Sequence, residues 1–80
     1  MRVEIYTKPD CPLCDEGKDL VEAAQDDTPF ELVLHNILTH DAWFELHRYF
    51  VPVVFIDGVR SLELRFSAEQ LRAALKAHRP

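Results

Sequence analysis

Lys8-Pro9-Asp10-Cys11-Pro12-Leu13-Cys14 carries both cysteines of the 80-residue chain, spaced C-x-x-C. The alternating run Val3-Glu4-Ile5-Tyr6 precedes it and a helical pattern follows it. A C-x-x-C pair between a strand and a helix reads as a redox dithiol. Two cysteines at that spacing can close a small disulfide without moving the rest of a fold. Pro9 and Asp10 break the strand, which is expected over residues 2–7. Cys11 falls near the N-cap, and Pro12 at the first helical position, where a missing N–H is no loss. Leu13, Gly17, Leu20, Val21 and Ala24 then line one helical face, with Asp15, Glu16, Lys18, Asp19 and Glu22 on the other. Gly17 on the inward face costs about 1 kcal/mol against alanine. A close approach of this helix to a sheet would explain it.

Further along, Asp26-Asp27-Thr28-Pro29 is a turn cluster. Phe30, Leu32 and Leu34 alternate with Glu31, Val33 and His35, which predicts a second strand. Thr39 or Asp41 can cap a short helix over Ala42 to Tyr49, with Trp43, Leu46 and Phe50 at helical spacing. Pro52 ends that helix and biases Val51 toward an extended backbone. The continuous apolar run 53–57 reads as a buried strand. Asp57-Gly58 is the strongest hairpin signal in the chain. The partner strand alternates Leu62, Leu64 and Phe66 against Ser61, Glu63 and Arg65. Ser67-Ala68-Glu69-Gln70 is a capping box. It opens a last helix with Leu71, Ala74, Leu75 and His78 on one side, and Arg72, Lys76 and Arg79 adding charge toward the C-terminal half, which suits the helix dipole. The order is β-α-β-α-β-β-α, an α/β fold in which the first β-α-β unit pairs two parallel strands and the hairpin adds an antiparallel pair.

Eighty residues make one domain, 1–80, with 48% hydrophobic content typical of a globular protein. Two cysteines are too few for a disulfide scaffold of a secreted mini-protein. No run approaches the ~18 apolar residues of a membrane span, and the N-terminus reads as a strand rather than a signal peptide. A cytoplasmic, monomeric protein is expected. The net charge of −5 argues against nucleic acid or an anionic membrane as partner.

The element order, with C-P-x-C after the first strand and a proline opening the third, resembles the thioredoxin fold. Within that fold the chain resembles the glutaredoxin family. Tyr6-Thr7-Lys8-Pro9-Asp10-Cys11-Pro12-Leu13-Cys14 is similar to the family's opening signature. Val51-Pro52-Val53-Val54-Phe55-Ile56-Asp57-Gly58 is similar to its second signature. The resemblance implies a four-stranded mixed sheet of order 2-1-3-4, the third strand antiparallel, with helices on both faces. It also implies a cis bond before Pro52, lying against the cysteines, and a Val51 backbone that receives an extended chain or glutathione. Two departures stand out. Leu13 replaces the usual tyrosine, and Ser61-Leu62-Glu63-Leu64-Arg65-Phe66-Ser67 lacks the Gly-Gly and acidic pairs that help hold glutathione. The chain is thus similar to a compact glutaredoxin-like branch, and these departures weigh against glutathione as co-substrate.

Disulfide exchange needs a thiolate, and an unperturbed cysteine has a pKa near 8.5. At a helix N-terminus the free N–H groups and the positive dipole end favour the thiolate at Cys11. Lys8 adds positive charge, while Asp15 and Glu16 oppose it. Cys11 is therefore the candidate nucleophile and Cys14 the resolving thiol. Lys8, Leu13, Val51 and Pro52 are candidate substrate contacts, although Lys8 also reads as a surface lysine and Leu13 as part of the helix's inward face. Trp43 and Phe66 read as core, and Tyr6 as packing. The expected partners are a disulfide-containing protein or a small thiol, with glutathione or a flavin reductase for recycling and no tightly bound cofactor. Two other readings stay open. Cys11, Cys14, His35 and His40 form a two-Cys, two-His set that a zinc site could use, although the gap is long, and iron–sulfur binding is a variant of it. The chain is otherwise a non-catalytic interaction module with an inert dithiol. His40, His47 and His78 read as solvated.

Overall fold

Val3 and Ile5, both fully buried, make Arg2–Thr7 an inner strand, β1. The computed structural model describes residues 1–78. Arg79, expected to add charge to the last helix, lies outside the described residues. β1 pairs in parallel with β2, Glu31–Asn36, and antiparallel with β3, Val53–Ile56. β4, Val59–Glu63, pairs antiparallel with β3. The four-stranded sheet has the order β2-β1-β3-β4. The helices are α1, Pro12–Ala24, α2, Asp41–His47, and α3, Ala68–Ala77. A 3-10 turn at Ile37–Thr39, not anticipated in the sequence, precedes α2.

α1 and α3 cover one sheet face. Val21, Leu71 and Leu75 pack there with Val3, Ile5, Val54, Ile56 and Phe66. Each fully buried aliphatic side chain in that layer contributes about 1.5–3 kcal/mol of transfer free energy. α2 covers the opposite face, where the rings of Trp43 and His47 meet Tyr6. The capping box opens α3 as expected: Gln70 N–H donates to Ser67 Oγ at 3.1 Å, and Ser67 N–H donates to Gln70 Oε1 at 2.8 Å. The hairpin turn places Asp57 at φ 49° and Gly58 at φ 80°, the two positive values that suit the twist of the flanking strands. Asp57 also ties down the start of β1, where its Oδ1 accepts from Arg2 N–H at 2.9 Å.

Three local expectations fail. α2 stops at His47 rather than Tyr49, and its N-cap is His40, without a side-chain cap bond, rather than Thr39 or Asp41. Its inward residues are Trp43 and His47, four apart, together with Phe44. Leu46 is 63% exposed and Phe50 41%, because Phe50 falls beyond the helix end and helical spacing no longer governs it. His47 is consequently buried at 5% exposure rather than solvated. Lastly, β4 ends at Glu63. Leu64 turns to φ 59°, and its N–H donates to the carbonyls of Phe50 at 3.2 Å and Pro52 at 3.0 Å. That turn leaves Leu64 exposed and still buries Phe66.

Candidate active site

Asp10 at φ 55° bends the chain from β1 into α1, a left-handed conformation that aspartate tolerates better than most residues. The next residue, Cys11, is the N-cap, and its Sγ accepts the backbone N–H of Cys14 at 3.2 Å. The sulfur thus occupies the place of a capping oxygen, where free N–H groups and the helix dipole favour negative charge. The Cα atoms of Cys11 and Cys14 are 5.2 Å apart, inside the range a disulfide needs, and the two sulfurs are at disulfide distance. Cys11 is 9% exposed and Cys14 2%, so Cys11 is the more accessible of the two.

The second component comes from the segment between α2 and β3. The Val51–Pro52 peptide bond is cis, and Val51 packs in one apolar cluster with Cys11, Cys14 and Ile37. Gly17 explains how the helix comes so close. A Cβ built there would stand 2.9 Å from Pro52 Cγ and 3.3 Å from Phe66 Cζ. The close approach expected of Gly17 is therefore to the Pro52 ring and Phe66, not to the sheet itself. Tyr6, Leu13, Trp43 and Phe44 close the rest of the cluster. Burial, reinforced by the Glu4 carboxylate and partly offset by Arg2, raises the Tyr6 phenol pKa, which keeps Tyr6 a neutral packing group.

Behind the cluster lies a layer of rings. Tyr6 stacks on His35 at 4.6 Å, and Trp43 meets His35 at 4.7 Å and His40 at 3.8 Å. His35 Nε2 lies 2.8 Å from Glu4 Oε2. The two histidines of the two-Cys, two-His set thus have other partners, and among the described residues no group of three or more His, Cys, Asp and Glu side chains converges. His47 is enclosed by Tyr6 and Phe55, and its Nδ1 has no hydrogen-bond partner among the described residues. Burial, with a smaller contribution from Arg60, lowers its pKa.

The structure brings Cys11, Cys14, Leu13, Val51 and Pro52 together and leaves Lys8 exposed on the incoming loop, without an ion-pair partner among the described residues. Ile37 and Phe44 belong to the site but were not singled out from the sequence. Ile37 sits in a turn whose apolar pattern is too short to read, and Phe44 falls beside the Trp43 position that the helical spacing selected. Among the described residues no helix is long and apolar enough to cross a membrane.

A family model described as "Glutaredoxin-like domain (DUF836)" matches residues 2–76. The X-ray structure of a structural-genomics target protein from X. campestris is 27% identical, with a TM-score of 0.82 over 96% of this chain and 99% of that one. The solution structure of a protein from Nitrosomonas europaea is 23% identical, with a TM-score of 0.75 over 90% of this chain and 87% of that one. Thioredoxin 1 from Thermosipho africanus is 13% identical, with a TM-score of 0.72 over 98% of this chain and 93% of that one. The last two share the fold alone, and the mixed sheet of order 2-1-3-4 with three helices is thioredoxin-like.

Proposed function

The chain belongs to the glutaredoxin-like domain family, and on that premise we propose that it is a dithiol disulfide reductase in which Cys11 attacks and Cys14 resolves. A thioredoxin-like fold with Cys11 and Cys14 at disulfide distance supports thiol–disulfide redox chemistry in general. The observation that carries the finer reading is the placement of Cys11 Sγ as the N-cap acceptor of α1, with Val51 packed beside it and Pro52 against Gly17 of the same helix. In the reduced form the Cys11 thiolate attacks one sulfur of the substrate. A Cys11–substrate disulfide forms, and the other substrate sulfur leaves as a thiolate that takes up a proton. Cys14, one turn further in, then loses its proton and attacks Cys11 Sγ, breaking the Cys11–substrate bond and releasing the second substrate sulfur as a thiolate that takes up a proton. Two electrons pass to the substrate and the Cys11–Cys14 disulfide remains. Glutathione or a flavin reductase returns the pair to the dithiol, in a reducing cytoplasm where such pairs are transiently oxidised. The Val51 backbone receives the substrate chain as a short added strand, with Leu13 and Lys8 at its margin.

The test is reduction of a glutathione mixed disulfide and of a protein disulfide, each coupled in turn to the two recycling systems. Cys11→Ser should abolish turnover in every combination. Cys14→Ser should accumulate a mixed disulfide on Cys11, visible by mass. If Cys14→Ser loses the first chemical step while Cys11→Ser keeps it, the two roles are reversed.

A further inference from the structure

Two observations narrow the substrate, given the dithiol reading above. The first is a lack of room. The crevice next to Leu13, between α1 and residues 64–66, has a volume of about 10 Å³. One water needs roughly 10–15 Å³. Arg65 and Glu16, 3.9 Å apart, bridge its walls. A small thiol does not fit inside that crevice.

The second is the surface on the other side of Pro52. Phe44 packs in the sulfur cluster, Phe50 and Leu64 are 41% and 42% exposed, and the Leu64 N–H bond to the Phe50 carbonyl brings the backbones of those two residues together. Tyr49, 70% exposed, adjoins them. Contiguous exposed apolar surface next to a reactive group marks a contact for a macromolecule. Two cations stand on it: Arg60 lies over the Phe50 ring at 5.3 Å, and Arg48 is the other. The Arg48 guanidinium lies over the Phe44 ring at 5.4 Å and the Tyr49 ring at 4.6 Å. Unlike Arg60, which pairs with Glu63, and Arg65, which pairs with Glu16, Arg48 has no carboxylate partner among the described residues. Its two rings hold it in place, so little side-chain entropy remains to be lost when it meets an anion.

We propose that the substrate is a protein disulfide carried in an extended segment that is both apolar and acidic, with apolar side chains on Phe44, Phe50 and Leu64 and a carboxylate on Arg48. The chemical step is the exchange described above: the reduced dithiol supplies both electrons, so a single turnover needs no further reductant.

The experiment is single-turnover oxidation of the reduced chain by two disulfide-linked peptides. They are identical and apolar around the cysteine except for one glutamate or one lysine near it. Oxidised glutathione and an uncharged small disulfide serve as comparators. The glutamate peptide should react about three- to tenfold faster than the lysine peptide at low ionic strength, with the ratio shrinking in salt. It should also outrun oxidised glutathione. Arg48→Gln should bring the ratio close to one, and Arg48→Glu should invert it. The ratio is internal to each protein and so does not depend on how much of a variant folds. If Arg48→Glu does not fold at all, the Arg48→Gln ratio decides. A ratio unchanged in the Arg48 variants, or glutathione disulfide as the fastest oxidant, overturns the proposal. Reduction of the uncharged disulfide with no discrimination between peptides overturns it and leaves the dithiol reading standing. Reduction of none of the four overturns both.

Discussion

Replacing Gly17 by alanine should destabilise this protein, although the same change in most helices stabilises. Alanine gains about 1 kcal/mol of helix propensity over glycine. Against that stands the geometry: the new methyl would sit 2.9 Å from Pro52 Cγ and 3.3 Å from Phe66 Cζ. Both neighbours are buried, and overpacking of this kind costs about 1–3 kcal/mol. The net expectation is a loss of about 1 kcal/mol, which lowers Tm by about 4–8 °C in a domain of this size. Thermal unfolding of the reduced protein, followed by far-ultraviolet circular dichroism, measures it. Phe66→Leu in the same background removes one of the two obstructing groups. The alanine should then cost less than it does beside the intact ring, a coupling that a double-mutant cycle reads directly. The same methyl should slow disulfide reduction, because relief comes from shifting Pro52 away from α1 and the cysteines. A Gly17→Ala protein with a higher Tm than wild type would refute the close packing of α1 on Pro52.

Three further outcomes follow from the same geometry. Gly58→Ala meets no steric obstacle but places a side chain at φ 80°; it should cost about 1–2 kcal/mol, read as a lower urea midpoint with an unchanged m-value. Ser67→Ala removes the acceptor for the Gln70 N–H and should cost about 1 kcal/mol, whereas Ser67→Asp should largely preserve stability. His47 contributes a pH dependence of definite sign. Its folded pKa lies below the ordinary 6.5, chiefly through burial and secondarily through Arg60, so the unfolded chain binds the proton first. Stability is therefore full above about pH 6.5 and declines as pH falls toward the folded value. His47→Phe should flatten that part of a stability–pH curve measured by urea unfolding, and an unchanged slope would remove His47 as its source.

Much of the architecture is legible residue by residue. The alternation of Val3 and Ile5, the proline after Cys11, the Asp57-Gly58 turn and the Ser67–Gln70 box each specify a local conformation through a short-range cause, and each is found where those causes place it. The 42–50 region departs from its sequence pattern because short amphipathic patterns do not say where a helix stops. Trp43, Phe44 and His47 face inward only because the other sheet face needs covering, and Leu46 and Phe50 are left to solvent. Leu64 departs from its pattern for a related reason. Its alternation with Leu62 and Phe66 is a strand pattern, yet two carbonyls from the cis-proline segment capture its N–H and turn the chain.

Local sequence specifies the dithiol, its seat at a helix start and the order of the elements, since spacing, capping and turn chemistry act over a few residues. Tertiary structure alone decided what faces the sulfurs. Ile37, Val51, Trp43 and Phe44 reach Cys11 and Cys14 from distant points in the chain, and Gly17 is needed only because Pro52 and Phe66 arrive from elsewhere to occupy the space a methyl would take. It also left Arg48 on aromatic rings without a carboxylate. Such contacts depend on which surfaces the sheet order brings together, and no local pattern encodes that.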